Sequence, residues 1–282
     1  MLDYDFMRHA FAAALIVAVV AGTVGYFLVL RGQTFAGHAL SHVGFTGATG
    51  AVLIGVPPLW GLVLVTVAAG IGMGLLGEQI AQRDVAIGLV LAFALGLGLL
   101  FLSFVTSYAT QATTLLFGNV LAVDVRTVWT LLALGLVSLV VMAIIARPLL
   151  FATLQPDLAE AKGVSLRVYG VGFLAVVALT TAESAQIVGV LLVFALMVGP
   201  AAAAQRFTSS VASGVLLSAL LALAEAWAGI TLAYYTDWPS SFWIVTLSVA
   251  VYLLSLTISP RAKRESNPTV IPSEVEGQRL RP

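Results

Sequence analysis

The chain has 282 residues, 60% of them hydrophobic and only 9% charged, with 13 basic against 13 acidic side chains and a mean hydropathy of +1.06. A zero formal charge supplies no basic field for nucleic acid, and the absence of cysteine excludes a disulfide framework and thiolate ligands, which disfavours copper(I) and iron–sulfur chemistry. Apolar runs long enough to cross about 30 Å of hydrocarbon recur along the whole sequence, which predicts an all-α, polytopic transmembrane helical bundle of eight or nine spans.

The first run, near 9–30, follows the acidic start Met1-Leu2-Asp3-Tyr4-Asp5 and is too long for the apolar core of a signal peptide, so it reads as a retained span. Further spans are expected near 36–56, 58–76, 86–104, 127–146, 168–184, 186–205, 211–234 and 240–258. The pair at 168–184 and 186–205 is nearly continuous and is also readable as one broken or re-entrant element. A transmembrane domain therefore covers 1–259, and the charged, proline-containing stretch 260–282 reads as a disordered cytoplasmic tail. With the N-terminus outside, Arg31, Arg83, Arg147, Lys162, Arg167, Arg206 and five basic residues of the tail fall inside, against Arg8 and Arg126 outside. The positive-inside bias thus puts the N-terminus outside and the C-terminus in the cytoplasm.

Glycine and alanine are spread through the spans, as in Gly70-Ile71-Gly72-Met73-Gly74-Leu75-Leu76-Gly77. In lipid, small residues let helix backbones approach closely. Gly72, Gly74 and Gly77 match G-x-G-x-x-G, but that fingerprint requires a strand and a βαβ unit, which nothing here supplies.

The second span holds two of the three histidines, His38 and His42, one helical turn apart. Ionisable side chains are rare in lipid and face a bundle interior or a hydrated cavity. At 3.6 residues per turn His38, His42, Thr46 and Thr49 form one stripe, expected to be wet, beside a stripe of small residues, Gly37, Ser41, Gly44, Ala48 and Ala51. Both imidazoles are within reach of one cation, and imidazole suits zinc, copper, iron and nickel. The plainer reading has each ring bonded to a neighbouring carbonyl.

Glu183 and Glu225 lie in or near spans, where a carboxylate needs a partner; each is a candidate metal ligand or proton carrier. Glu183 is also readable as solvated at a span boundary. Asp237 sits in an aromatic-rich turn expected on the outer side, and Met73, Met142 and Met197 are scattered core residues. There is no H-E-x-x-H, three histidines are too few for a di-iron oxidase, and neither Lys162 nor Lys263 follows a glycine, so the chain has no Walker A motif. Between the fifth and sixth spans Pro156 and Asp157 start a short amphipathic helix that Glu160 favours and Gly163 ends, either an interfacial loop or a docking knob for a cytosolic partner.

Four segments resemble the permease family of metal-ion ABC transporters, which import zinc, manganese and iron: Leu30–His42, Leu116–Val123, Val188–Ala202 and Tyr234–Ser240. The resemblance spans about 10–258 and implies a type II ABC importer-like permease in a bacterial inner membrane. It implies a homodimer, cytosolic ABC ATPase subunits and a periplasmic or lipid-anchored metal-binding protein. The permease itself is then no enzyme and holds no permanent cofactor. By the same resemblance 151–166 is the coupling helix, with Pro156, Asp157, Glu160 and Gly163 facing the ATPase. The family's ion-contacting aspartate and histidine, four apart, fall on His38 and His42, and its Leu-Pro-Gly falls on Phe45-Thr46-Gly47. Glu183 and Glu225 match no family motif. A nitrogen in place of the carboxylate leans toward zinc, whereas carboxylate suits manganese. Two protein ligands with water make a transient site that binds yet releases. Manganese or iron import is the nearest alternative, followed by a metal-chelate permease. A membrane metalloenzyme or a proton-coupled carrier is the alternative of another class.

Overall fold

The computed structural model describes residues 4–75, 80–105 and 114–258. The predicted tail at 260–282 and Gly77 lie outside the described residues. The expected spans appear in order as α1 (Asp5–Leu30), α2 (Thr34–Leu53), α3 (Pro58–Leu75), α4 (Ile80–Ser103), α5 (Val125–Leu154), α7 (Leu166–Val188), α8 (Val193–Phe207), α9 (Val211–Thr236) and α10 (Ser240–Ile258), with the short α6 (Pro156–Ala161) after α5. Seven of these helices are long and apolar enough to cross a membrane. The other two are α2, diluted by histidine, threonine and glycine, and α8, only 15 residues long.

Burial separates the inner from the outer helices. Of the most apolar stretch of each helix, 67% is buried in α1 and 61% in α7, against 22% in α3, α4, α5 and α10. Hence α1 and α7, together with α2, 14 of whose 20 residues are buried, form the core, and α3, α4, α5 and α10 turn broad apolar faces outward, such as Leu89 and Phe93 of α4 or Val140 and Ile144 of α5. The small residues do what lipid demands of them. A methyl group on Gly22 of α1 would stand 2.6 Å from Ala219 Cα of α9, and one on Gly70 of α3 would stand 2.6 Å from Leu174 O of α7. Gly47 of α2 and Gly61 of α3 cross with each backbone occupying the space of the other's missing side chain.

Two boundaries differ from expectation. Helix α7 does not stop at 184 but runs through Glu183-Ser184-Ala185 to Val188, so Glu183 lies inside a helix and is not solvated at a span boundary. Helix α5 likewise continues past Pro148 to Leu154, its start capped by Asp124, whose side chain accepts from Thr127 N at 2.9 Å. Residues 151–154 of the expected coupling segment therefore belong to α5, and the separate helix is confined to Pro156–Ala161.

The break between α7 and α8 is built from backbone. Gly189 adopts φ 79°, ψ 158°, a region that essentially only glycine occupies. Val190 N and Leu191 N donate to Leu115 O and Leu116 O at 3.1 and 3.2 Å. Irregular backbone inside a membrane protein needs such internal partners. Gly118, also at positive φ, packs directly on Gly189, and a side chain on either would strike the other strand.

Candidate functional site

Helix α2 runs unbroken through Phe45-Thr46-Gly47 and brings the two histidines together. Their ring centroids are 4.7 Å apart with the rings at 86°, and His38 meets Phe194, on the first turn of α8, edge to face at 5.4 Å. His42 is 8% exposed and His38 half-buried, and His42 Nδ1 is enclosed with no hydrogen-bond partner. Ser41 Oγ donates to the His38 carbonyl at 2.7 Å, one turn back on the same helix.

The stripe continues in space but is not wet. Thr46 donates to Ala94 O of α4, and Thr49, fully buried, bonds Phe45 O at 2.9 Å. Packing of α2 against α3, α4 and α7 closes that end, leaving the histidine end as its open, polar part. An enclosed imidazole nitrogen without a partner is a group able to bind an incoming cation or donor.

The two glutamates do not join the histidines: no group of three His, Cys, Asp or Glu residues able to hold a metal occurs among the described residues. Glu183 is fully buried; Ser138 Oγ of α5 donates to its Oε1 at 3.0 Å, and its Oε2 has no partner. Glu225 of α9 is 3% exposed with both oxygens unpaired. Ser248 of α10 lies beside it, but its hydroxyl donates to Ala195 O at 2.9 Å.

In the short α6, Pro156 fixes the first turn, Asp157 adds acid there, and Gly163 at φ 81° ends the turn. Ala159 is fully buried while Leu158 is 47% exposed, flanked by exposed Asp157 and Glu160. At this end of the bundle Arg31, in the turn before α2, donates to Thr153 Oγ1 at 2.8 Å, and its guanidinium stands over the Phe173 ring at 5.6 Å. Sequence reasoning missed both Phe194 and Arg31–Thr153, because each pairs residues far apart in the chain.

A bundle of long apolar helices, one of which carries paired imidazoles into its packed interior, defines a polytopic membrane transport protein. The ABC 3 transport family description matches residues 3–259, and the chain belongs to that family. It is 30% identical over 262 residues to the manganese transport system membrane protein MntC of Halalkalibacterium halodurans, covering 93% of this chain and 90% of that one. It is also 30% identical over 262 residues to the manganese import system permease protein ScaB of Streptococcus gordonii, covering 93% and 94%. Among solved structures, PsaBC from Streptococcus pneumoniae in complex with Fab matches with a TM-score of 0.84 at 28% identity, over 94% of this chain and 96% of that one.

The chain is therefore a metal ABC transporter permease of the bacterial plasma membrane, and ATP hydrolysis falls to a separate ATPase chain. Both relatives are named for manganese, so the zinc preference expected from two imidazoles gains no support from them.

Proposed function

We propose that this permease carries a divalent first-row metal ion, manganese above all, past the His38–His42 pair, and that it does so as a homodimer fed by a metal-binding protein from outside. The observation that carries the reading is the adjacency of two imidazoles at 4.7 Å on a helix otherwise packed with small residues, one ring enclosed and one half-open. Manganese as cargo is supported by the two relatives, both named as manganese transporters. A pair of protein ligands completed by water suits a passing ion, since a closed cage would hold it. The N-terminus outside and the C-terminus inside follow from the distribution of basic residues. In that orientation α6 lies at the cytoplasmic face, where its exposed Leu158, Asp157 and Glu160 meet the ATPase.

Zinc remains the second reading, because both donors of the pair are nitrogen and no carboxylate completes the cluster among the described residues. The deciding experiment is uptake of labelled Mn²⁺ and Zn²⁺ by proteoliposomes holding the full transporter and its binding protein. Replacement of both histidines by alanine is expected to lower uptake of the cargo at least about tenfold, since even the loss of a group that only supports a ligand weakens a metal site by about that much. Unchanged uptake of both ions would remove the histidines from the pathway.

A further inference from the structure

Three of the buried oxygens that lack a hydrogen-bond partner lie on one turn of α7: Thr180 Oγ1, Glu183 Oε2 and Ser184 Oγ. All three residues are 0% exposed. At positions i, i+3 and i+4 they share one helix face. Mid-helix hydroxyls ordinarily satisfy themselves by bonding a carbonyl one turn back. Thr181 does so with Val177 O at 2.8 Å, Thr49 with Phe45 O at 2.9 Å and Thr231 with Trp227 O at 2.8 Å. Thr180 and Ser184 do not, although they flank the residue that does.

Across the α5 interface Ser138 donates to Glu183 Oε1 at 3.0 Å, which fixes its oxygen beside the carboxyl with its lone pairs still uncommitted. Oε2 lies opposite Gly135 of α5, where a methyl group would stand 3.5 Å from it and 3.1 Å from methyls of Ile16 and Val20, so the glycine is what lets the carboxyl lie against α5. Buried polar atoms are satisfied in native proteins, and an unpaired carboxylate in a low-dielectric interior is strongly unfavourable. The donors here are all oxygen, one from a carboxylate and the rest from hydroxyls. Oxygen sets of this kind select hard cations over the soft and borderline metals that imidazole takes. A single carboxylate carries one negative charge, so a monovalent ion leaves the site neutral, while a divalent ion would leave net charge buried.

We propose that Thr180, Glu183 and Ser184, with Ser138 across the interface, form a buried binding site for a monovalent hard cation between α5 and α7. The site is separate from the His38–His42 pair and independent of which metal the permease transports. Its ion ties α7, a core helix, to α5, whose far end leads into α6.

The test is thermal unfolding of the full permease with its ATPase, in detergent at constant ionic strength, with sodium exchanged stepwise for N-methylglucamine. A saturable rise in Tm of about 3–5 °C is expected once sodium exceeds its apparent dissociation constant some tenfold. Glu183→Gln should abolish the rise. Should that variant fail to accumulate, Ser184→Ala and Thr180→Val should each shift the sodium midpoint upward about tenfold or more. His38→Ala should leave the rise intact, which separates this site from the transport pathway. A Tm that does not distinguish sodium from N-methylglucamine, or a full rise retained in Glu183→Gln or in Ser184→Ala with Thr180→Val, would overturn the proposal.

Discussion

Arg31 Nη1 donates to Thr153 Oγ1 at 2.8 Å, and the Thr153 hydroxyl in turn donates to Leu149 O at 2.6 Å. The first residue sits in the turn that launches the histidine helix, and the second lies on the last turn of α5, just before α6. On the proposal that the ATPase moves α6, that motion has a polar link through the end of α5 to the base of α2. Thr153→Val keeps the volume and removes the acceptor, at an expected stability loss of about 1–3 kcal/mol because a guanidinium loses a partner. The sharper expectation concerns coupling: ATP hydrolysis by the complex should persist while metal uptake falls. Both rates measured on the same proteoliposomes decide it, and a parallel fall in the two would assign Thr153 to folding alone.

Cargo choice should follow the chemistry at position 38. His38→Asp substitutes a hard oxygen donor for a nitrogen, and carboxylate oxygen favours manganese relative to zinc. The ratio of Mn²⁺ to Zn²⁺ uptake should rise about tenfold in this variant, read by competition between the two labelled ions. An unchanged ratio would mean that His38 does not contact the ion during passage.

Most of the architecture is legible in hydropathy, because lipid forces every span to satisfy its backbone internally as a helix. The histidine pair is legible too, since spacing along one helix is a local property. What hydropathy misreads are the ends. The polar run Glu183-Ser184-Ala185-Gln186 looks like a boundary, yet α7 continues through it to Val188, with Ser138 of α5 donating to one oxygen of the buried Glu183. Pro148 with Arg147 looks like a stop, yet α5 accommodates it and ends a full turn and more later. The wet stripe expected at Thr46 and Thr49 fails for a related reason: threonine hydroxyls satisfied by carbonyls pack as readily as apolar groups. Phe194 carries no signal of its own, since a phenylalanine in an apolar span is unremarkable until the break at Gly189 sets it on His38.

The break itself should be intolerant of any side chain. Gly189→Ala places a methyl group in a φ, ψ region closed to L-residues and drives it into the 116–118 backbone. A loss of about 3 kcal/mol or more is expected, because backbone strain adds to a clash with main-chain atoms that have nowhere to move. The variant's melting temperature and its detergent-solubilised yield measure this directly. A near wild-type melt would show that 115–118 and 189–191 separate readily.

Outside the membrane, the Asp124 cap gives α5 an acid-sensitive end. Bonds from Thr127, side chain first and then backbone, hold its carboxyl below the ordinary value of 3.8. Above that value the group is ionised whether the chain is folded or not, and the cap contributes in full. As pH falls below it, the unfolded chain takes up the proton first, so the contribution fades until the folded carboxyl is also protonated. Asp124→Asn retains an acceptor at the cap without a titrating charge. Its Tm should therefore decline less steeply than that of the wild type as pH is lowered from 5 toward about 3. Parallel pH profiles for the two proteins would refute the assignment.

The crossing of α2 and α3 at Gly47 and Gly61 offers the cleanest test of packing, because α3 supplies its own control. A methyl group at Gly61 would meet the Gly47 carbonyl and stand 2.6 Å from Ala51 Cβ, whereas one at Gly72 meets nothing within 4 Å. Gly61 is the fourth residue of α3 and Gly72 the fourth from its end, so each gains a comparable helix-propensity benefit from glycine to alanine, at most about 1 kcal/mol. The difference between the two variants therefore isolates the crossing. Gly61→Ala is expected to lose about 2–4 kcal/mol as backbones are forced apart, and Gly72→Ala to be neutral or slightly stabilising. Because α2 carries the histidines, the Gly61 variant should also lose metal uptake while the Gly72 variant keeps it. Equal melting temperatures for the two would mean that α2 and α3 have slack at their crossing, and that the position of the imidazole pair is set by α4 and α7 instead.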